Sequence, residues 1–373
     1  MPTVFITYQE DLGMAKKYDI IHFEALGAEL EHLEEETNEA IKKGLLPEGF
    51  TSLIVPENLQ QYMAAHPELE LPDIISTKTH SKLPEEYLKN GAKKSIITRS
   101  AGYDHFEALA ETANITSLRN YCVNAVAQTA VKFVYATAGL LNEYTVAAKT
   151  FERQKVGSFM ELNQDRTVTV FGVGLIGKRT YELLVGNGLN VQAVDIREKE
   201  LSARYGDSVK FVSKEEALAT SDIIVNVMNL TRDPESIYYN VNYFSEEVLR
   251  KTKPGLLFVN VTRGEIAPEA GLLKLYKEGH LGGIGVDVFG NEAEFSAALH
   301  GEPAINEDVK AGLEMMKIAQ ERSGNIYVQP HQGFNSDVAA STKAHEAIVH
   351  VVEWVKNNGK CFNEQLPYYG KTL

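Results

Sequence analysis

Cysteine is almost missing from this chain. The two present in 373 residues, Cys122 and Cys361, are far apart and in no metal-ligand spacing. That usage excludes a disulfide framework and a cysteine zinc site, so no metal is expected and the setting reads as reducing and cytoplasmic. Basic residues are also scarce, 37 Lys and Arg against 51 Asp and Glu, for a formal net charge of −14. Nucleic acids and membrane surfaces want basic patches, and neither is expected as a partner. The same charge repels an anionic small molecule at long range, so a site for one requires a local cation. Long apolar runs are absent: the most apolar helix expected, over 125–141, carries Gln128 and Lys132 and is too short and mixed to span a bilayer. The opening MPTVFITYQE reads as a strand and not as a signal peptide. Neither an internal repeat nor a low-complexity linker is visible.

What is there is a soluble globular composition, 44% hydrophobic and 24% charged, in a chain long enough for two cores. Short apolar runs alternate with helical stretches, the rhythm of parallel βαβ units and an α/β fold. Strands are expected at 3–8, 52–55, 73–77, 94–98 and 115–118, with helices at 11–21, 59–66, 84–90 and 105–112. The acidic stretch 27–49 reads as a solvated surface helix. The helix 125–141 leads into a second region, with strands expected at 167–171, 190–194, 209–212, 222–227, 256–261, 283–288 and 326–329. Helices are expected there at 175–188, 245–252 and 268–279. Residues 292–323 form a longer, partly helical connection, and an amphipathic helix runs over 336–354.

The most informative stretch is 167–195, TVTVFGVGLIGKRTYELLVGNGLNVQAVD. A β-branched run ends in Gly172, Gly174 and Gly177, the pattern G-x-G-x-x-G. Gly172 permits a tight turn, Gly174 lets backbone approach a pyrophosphate, and Gly177 lets helix pack closely on strand. Leu175 and Ile176 open the helix, whose unpaired N–H groups and positive dipole end suit phosphates. The next strand ends in Asp195, placed to accept hydrogen bonds from ribose hydroxyls and to repel a 2′-phosphate. The pattern predicts an NAD site.

Three ionisable residues follow strands downstream: Arg263 in NVTRGE, Glu292 in DVFGNE and His331 in QPHQGF. Ligands of an open parallel sheet lie at the carboxyl ends of its strands, so three such residues can converge. Singly, each suits a bland role: an interface arginine, a solvated acid, a turn histidine. Together they meet one chemical demand, reduction of a 2-oxo acid. The substrate carboxylate needs a forked cation (Arg263). The developing alkoxide needs a proton donor (His331), and that donor needs a carboxylate to keep it protonated and oriented (Glu292).

With these motifs in this order, the chain resembles the NAD-dependent D-isomer-specific 2-hydroxyacid dehydrogenases over nearly its whole length. The matching pieces are GVGLIG with Asp195, NVTRGE, GVDVFGNE and QPHQGF. The resemblance implies a flavodoxin-like substrate domain built from both chain ends (1–122 and 335–373). A Rossmann-type cofactor domain (123–334) is inserted in it, with a cleft between, in a homodimer. SAGYDH resembles the family's loop whose backbone N–H groups hold the substrate carboxylate, around Ala101 and Gly102. NYCVNAVAQTA resembles its crossover segment, with Tyr121 matching; Val123 and Gln128 depart from the usual proline and glutamate. Val227, Asp233, Thr262 and Asp287 fall where cofactor contacts are expected, Asp287 near the nicotinamide.

Phe334, three residues after His331, matches the aromatic of the D-lactate and D-2-hydroxyisocaproate branch. The substrate expected is therefore a small 2-oxo or 2-hydroxy acid. Where that branch usually has a tyrosine, this chain has TKTHSK. A cleft-facing Lys78 there would suit a dicarboxylate such as 2-oxoglutarate or oxaloacetate. A third possibility is a non-catalytic NADH sensor resembling the C-terminal-binding transcriptional corepressors, against which the −14 charge weighs.

Overall fold

The computed structural model describes residues 17–89 and 91–369. The chain divides into two compact units, and the second, residues 119–339 with the stretch from 369, interrupts the first. The first combines the chain up to 118 with residues 340–368.

In the first unit, β1 (Ile20–His22), β2 (Ser52–Ile54), β3 (Ile74–Thr77), β4 (Ser95–Thr98) and β5 (Asn114–Ser117) form one sheet. All neighbours run parallel in the order β2-β1-β3-β4-β5. That is the flavodoxin-like order. Strands other than β2 are buried along their length, as the short Ile-rich runs require. β1 corrects an expectation, because residues 11–21 read as a helix. Ile20 and Ile21 are instead fully buried between β2 and β3, where pairing on both edges overrides a local helical pattern. The strand expected at 3–8 lies outside the described residues.

The acidic stretch does form a helix, Ala28–Lys42, yet it is more than a solvated face: Glu29, Leu33, Thr37 and Ala40 are buried. Residues 105–112 yield just a single 3₁₀ turn, Glu107–Leu109. The helix Ala339–Lys356 buries Ala344, Ala347, Ile348, Val351 and Val352.

The second unit is built on β6 (Thr167–Phe171), β7 (Asn190–Val194), β8 (Ile223–Asn226), β9 (Leu256–Asn260), β10 (Leu281–Val286) and β11 (Ile326–Val328). Its parallel order is β11-β10-β9-β8-β6-β7. The strand expected at 209–212 is reduced to one bridge, Phe211 to Ala193 on the outer edge of β7. The chain there turns at once into the helix Lys214–Thr220, capped by Ser213. That bridge occupies the third-strand position of the doubly wound order, outside β7 and β6. The long helix Val123–Ala138 lays Val126, Ala127, Ala130, Phe133 and Val134 into the core. Behind the sheet, Phe244 meets Phe171 and Phe258 edge-on, with centroids 4.9 and 5.2 Å away.

Among the described residues no helix is long and apolar enough to cross a membrane, and no cluster of His, Cys, Asp or Glu could hold a metal.

Candidate active site and cofactor site

β6 and β8 are neighbours whose continuations diverge, so a crevice opens beyond their carboxyl ends. The glycine motif fills this switch point. Gly172 turns with φ +84°, a left-handed conformation that side chains resist. A Cβ on Gly177 would collide with the carbonyl oxygen of Gly172, so the helix Leu175–Gly186 can start this close to the end of β6 because Gly177 carries none. A Cβ on Gly174 would meet nothing within 4 Å. There is room for a pyrophosphate in front of the helix N-terminus, where Leu175 and Ile176 are half-exposed. The residues present fit a dinucleotide.

At the end of β7, one Asp195 oxygen accepts the Val173 N–H at 2.7 Å and the other accepts the Arg197 N–H at 2.9 Å. The carboxylate therefore ties the glycine loop to the strand beside it. The Arg197 guanidinium lies 3.7 Å from it and 4.1 Å above the ring of Tyr369. Val227 follows β8, almost buried, with its N–H on Phe171. Asp233 accepts the Glu235 N–H in an Asx turn after that strand.

Beyond β9, Asn260 and Asn226 shape the next loop, and sequence reasoning missed both. Buried Asn226 donates to Asn260 at 2.9 Å and to the Thr262 hydroxyl at 3.0 Å, while Asn260 donates to the Arg263 carbonyl at 2.9 Å. The available signal was the polar residue ending each apolar run, IIVN and LLFVN. Arg263 donates through Nη1 to the carbonyl of Thr262 at 2.9 Å. A Cβ on the next residue, Gly264, would collide with the backbone of Phe289 and Gly290. The Arg263 loop and the Glu292 loop thus lie backbone to backbone.

Glu292 opens the helix Glu292–Leu299 after Asn291, whose φ is +51°. Stacked Phe289 and Phe295, with centroids 4.3 Å apart and planes 12° apart, fix the turn from below. Glu269 supports it too: this nearly buried carboxyl accepts the Gly290 N–H at 2.7 Å. Burial, with Asp308 and Glu265 nearby, pushes Glu269 up to about 7.

His331 follows β11 with φ +51° and donates its backbone N–H to the carbonyl of Asp287 at 2.7 Å. Asp287, expected beside the nicotinamide, is 2% exposed and faces this loop. Its carboxylate accepts the N–H groups of Gln332 and Gly333 at 2.9 and 2.7 Å and the Gln329 amide at 3.3 Å. Burial pushes it above the usual carboxylate range, against those N–H groups and the charges of His331 and Lys132. Nδ1 of His331 lies 2.9 Å from the Glu292 carboxylate. Burial would raise Glu292, but the hydrogen bond and charge of His331, the Phe289 N–H and the charge of Arg263 outweigh it and hold the carboxyl low. Glu292 is thus an ionised acceptor, Nδ1–H is its donor, and Nε2 is left to exchange a proton. Phe334 lies edge-on to Tyr121, with centroids 6.3 Å apart.

The substrate-side residues expected at Ala101, Gly102 and Lys78 belong to the first unit. Ala101 and Gly102 follow β4, half-exposed, with the Ser100 hydroxyl donating to the Gly102 carbonyl at 2.7 Å. Lys78 follows β3 and is ion-paired with Glu29.

The family model for the D-isomer specific 2-hydroxyacid dehydrogenase NAD-binding domain matches residues 134–333. The chain belongs to the D-isomer specific 2-hydroxyacid dehydrogenase family and is an NAD-linked oxidoreductase. Among curated relatives it is 26% identical to a glyoxylate reductase of Thermococcus gammatolerans, over 68% of this chain and 82% of that one. It is 25% identical to an aromatic 2-oxoacid reductase of Clostridium sporogenes, over 79% and 85%. Its fold matches a D-lactate dehydrogenase of Aquifex aeolicus with TM-score 0.71 at 20% identity, covering 91% of this chain and 96% of that one.

Proposed function

We propose that this protein reduces a small 2-oxo acid bearing one carboxylate to the D-2-hydroxy acid, in the manner of a D-lactate dehydrogenase. The observation that carries this reading is the 2.9 Å contact between Glu292 and Nδ1 of His331. A histidine held by an ionised carboxylate is a proton donor whose second nitrogen can serve a carbonyl oxygen. NADH, when bound, supplies the hydride that reaches the substrate C2. Nε2 of His331 protonates the oxygen as the C=O bond is reduced, and recovers a proton from solvent; the reverse reaction uses it as a base. Arg263 offers the forked cation that a carboxylate or developing alkoxide needs in a protein of net charge −14. Gly172, Gly174, Leu175, Ile176 and Gly177 hold the pyrophosphate and Asp195 the ribose, with Val227, Asp233 and Thr262 beside them. The N–H groups of Ala101 and Gly102 take the substrate carboxylate, and Tyr121 and Phe334 offer an apolar face to its side chain.

The relatives named for glyoxylate and for aromatic 2-oxo acids support the reaction class and leave the chain length of the acid open to test. Lys78 lends the dicarboxylate alternative little support, because its charge is already paired. The protein is proposed to act in the cytoplasm as a homodimer, checked by light scattering on the purified chain.

The decisive experiment is loss of NADH absorbance with pyruvate, 2-oxoisocaproate, phenylpyruvate, glyoxylate, oxaloacetate and 2-oxoglutarate. Turnover of monocarboxylates that disappears in His331→Asn with NADH still bound supports the proposal. Silence across the panel with NADH bound overturns it in favour of an NADH-sensing binding protein.

A further inference from the structure

The acidic stretch that looked like a solvated helix contains one residue with a different task. β3 and β4 pair with Thr77 opposite Thr98, so Lys78 and Arg99 leave the sheet side by side at its carboxyl edge. The Arg99 N–H donates to the Thr77 carbonyl at 2.7 Å. Ligands lie at this edge of an open parallel sheet, and Ala101 and Gly102 follow directly. Glu29, in the first turn of the helix Ala28–Lys42 and 4% exposed, reaches under both cations. It accepts from Nε of Arg99 at 2.8 Å and pairs with Nζ of Lys78 at 2.5 Å. Lys343 adds a third positive charge around it, and the three cations outweigh burial to hold the carboxyl below its ordinary range.

The two cations are not equivalent. Arg99 is fully buried, and its other donors are committed to the Ser76 hydroxyl and the Phe23 carbonyl. Lys78 keeps a fifth of its side chain exposed. Its backbone is held by Glu24, which accepts from the Thr77 hydroxyl, the N–H groups of Lys78 and His80, and the Ser81 hydroxyl. The loop is therefore fixed with one cation at its root, and that cation already has a partner.

We propose that Glu29 is a specificity-determining residue: by holding Lys78 it withholds a counter-charge from a second substrate carboxylate and confines the enzyme to 2-oxo monocarboxylates. This rests on the reductase reading above. A distal carboxylate would have to displace an oriented, largely desolvated partner, which costs more than the exposed contact returns. Removing the charge of Glu29 reverses that balance and leaves Lys78 to the substrate.

The test compares kcat/KM within two pairs of acids. Oxaloacetate and 2-oxoisocaproate share one heavy-atom skeleton, as do 2-oxoglutarate and 5-methyl-2-oxohexanoate, and each pair differs by a terminal carboxylate for an isopropyl group. The wild type is expected to favour the monocarboxylate of each pair by about tenfold or more, and Glu29→Gln to raise the dicarboxylate ratio by about tenfold. The Glu29→Gln, Lys78→Gln double variant is expected to lose that gain. If Glu29→Gln does not fold, Glu29→Asp keeps a charge for Arg99 while falling one methylene short of Lys78, and should move the ratio the same way. A wild type that prefers the dicarboxylates, or a folded, NADH-binding Glu29 variant with an unmoved ratio, overturns the assignment of Glu29 alone. Silence toward every 2-oxo acid with NADH bound overturns the reductase reading as well.

Discussion

Glu292 presents both carboxylate oxygens to Nδ1 of His331, each at 2.9 Å, from loops that follow two neighbouring strands. Both side chains are more than a third exposed, so the pair contributes little to stability and its value is orientation. Glu292→Gln keeps the shape and removes the charge that faces Nδ1 of His331. We expect kcat to fall by about 10²-fold, in the range of general acid catalysis, with the Kd for NADH and the Tm unchanged. Stopped-flow turnover and fluorescence titration check this; an unchanged kcat would refute the assignment.

Gly174 separates cofactor binding from folding. Its backbone is ordinary, φ −69°, and a methyl group there touches no protein atom. Gly174→Ala should leave the Tm of the cofactor-free protein within about 1 °C, because nothing is displaced. The same methyl occupies the space expected for the pyrophosphate, so the Kd for NADH should rise by about tenfold or more. Calorimetric titration measures the second number.

Gly264 behaves oppositely. A methyl there meets the backbone of Phe289 and Gly290, and backbone cannot yield as a side-chain tip can. Gly264→Ala should lower stability by about 1–3 kcal/mol through overpacking. It should also lower kcat, since the loops of Arg263 and Glu292 are pushed apart. A variant as stable and active as the wild type would show that the contact is not needed.

Glu269 gives the protein a pH-dependent penalty whose sign is fixed. Burial pushes its carboxyl up to about 7 from an ordinary 4.5, so between these the unfolded chain has lost a proton that the folded one retains. Stability therefore falls as pH rises through that window, by up to about 3 kcal/mol, and is unaffected by this group below it. Glu269→Gln keeps an acceptor for the Gly290 N–H. Its Tm should match the wild type near pH 4 and exceed it at pH 8. A constant difference across that range would exclude the titration as its cause.

How far the sequence reaches can be judged residue by residue. The glycine motif and Asp195 are legible because a β-branched run, a turn and a helix impose local rules on consecutive residues. Arg263, Glu292 and His331 are legible in order, since each ends a recognisable strand. That Glu292 and His331 meet at 2.9 Å is a matter of two loops 39 residues apart in sequence. β1 was not legible because three residues carry no period, and its strand character comes from partners supplied by β2 and β3. Asp287 is expected near the cofactor through the family resemblance alone; that its carboxylate also holds Gln329, Gln332 and Gly333 is visible in space alone. Glu29 is one acid among many in ELEHLEEE, and nothing local marks the one that meets an arginine 70 residues away.

The left-handed backbone at His331, φ +51°, also limits which neighbours in sequence space the protein can visit. Asn and Gly occupy that region at little cost, whereas a β-branched side chain pays strain of about 1–2 kcal/mol before any chemistry is lost. Loss of the imidazole through Asn or Gly would thus leave a folded, NADH-competent chain. The route by which such a dehydrogenase could drift into a pure cofactor-responsive binder runs through those two residues, and Val, Ile and Thr close it.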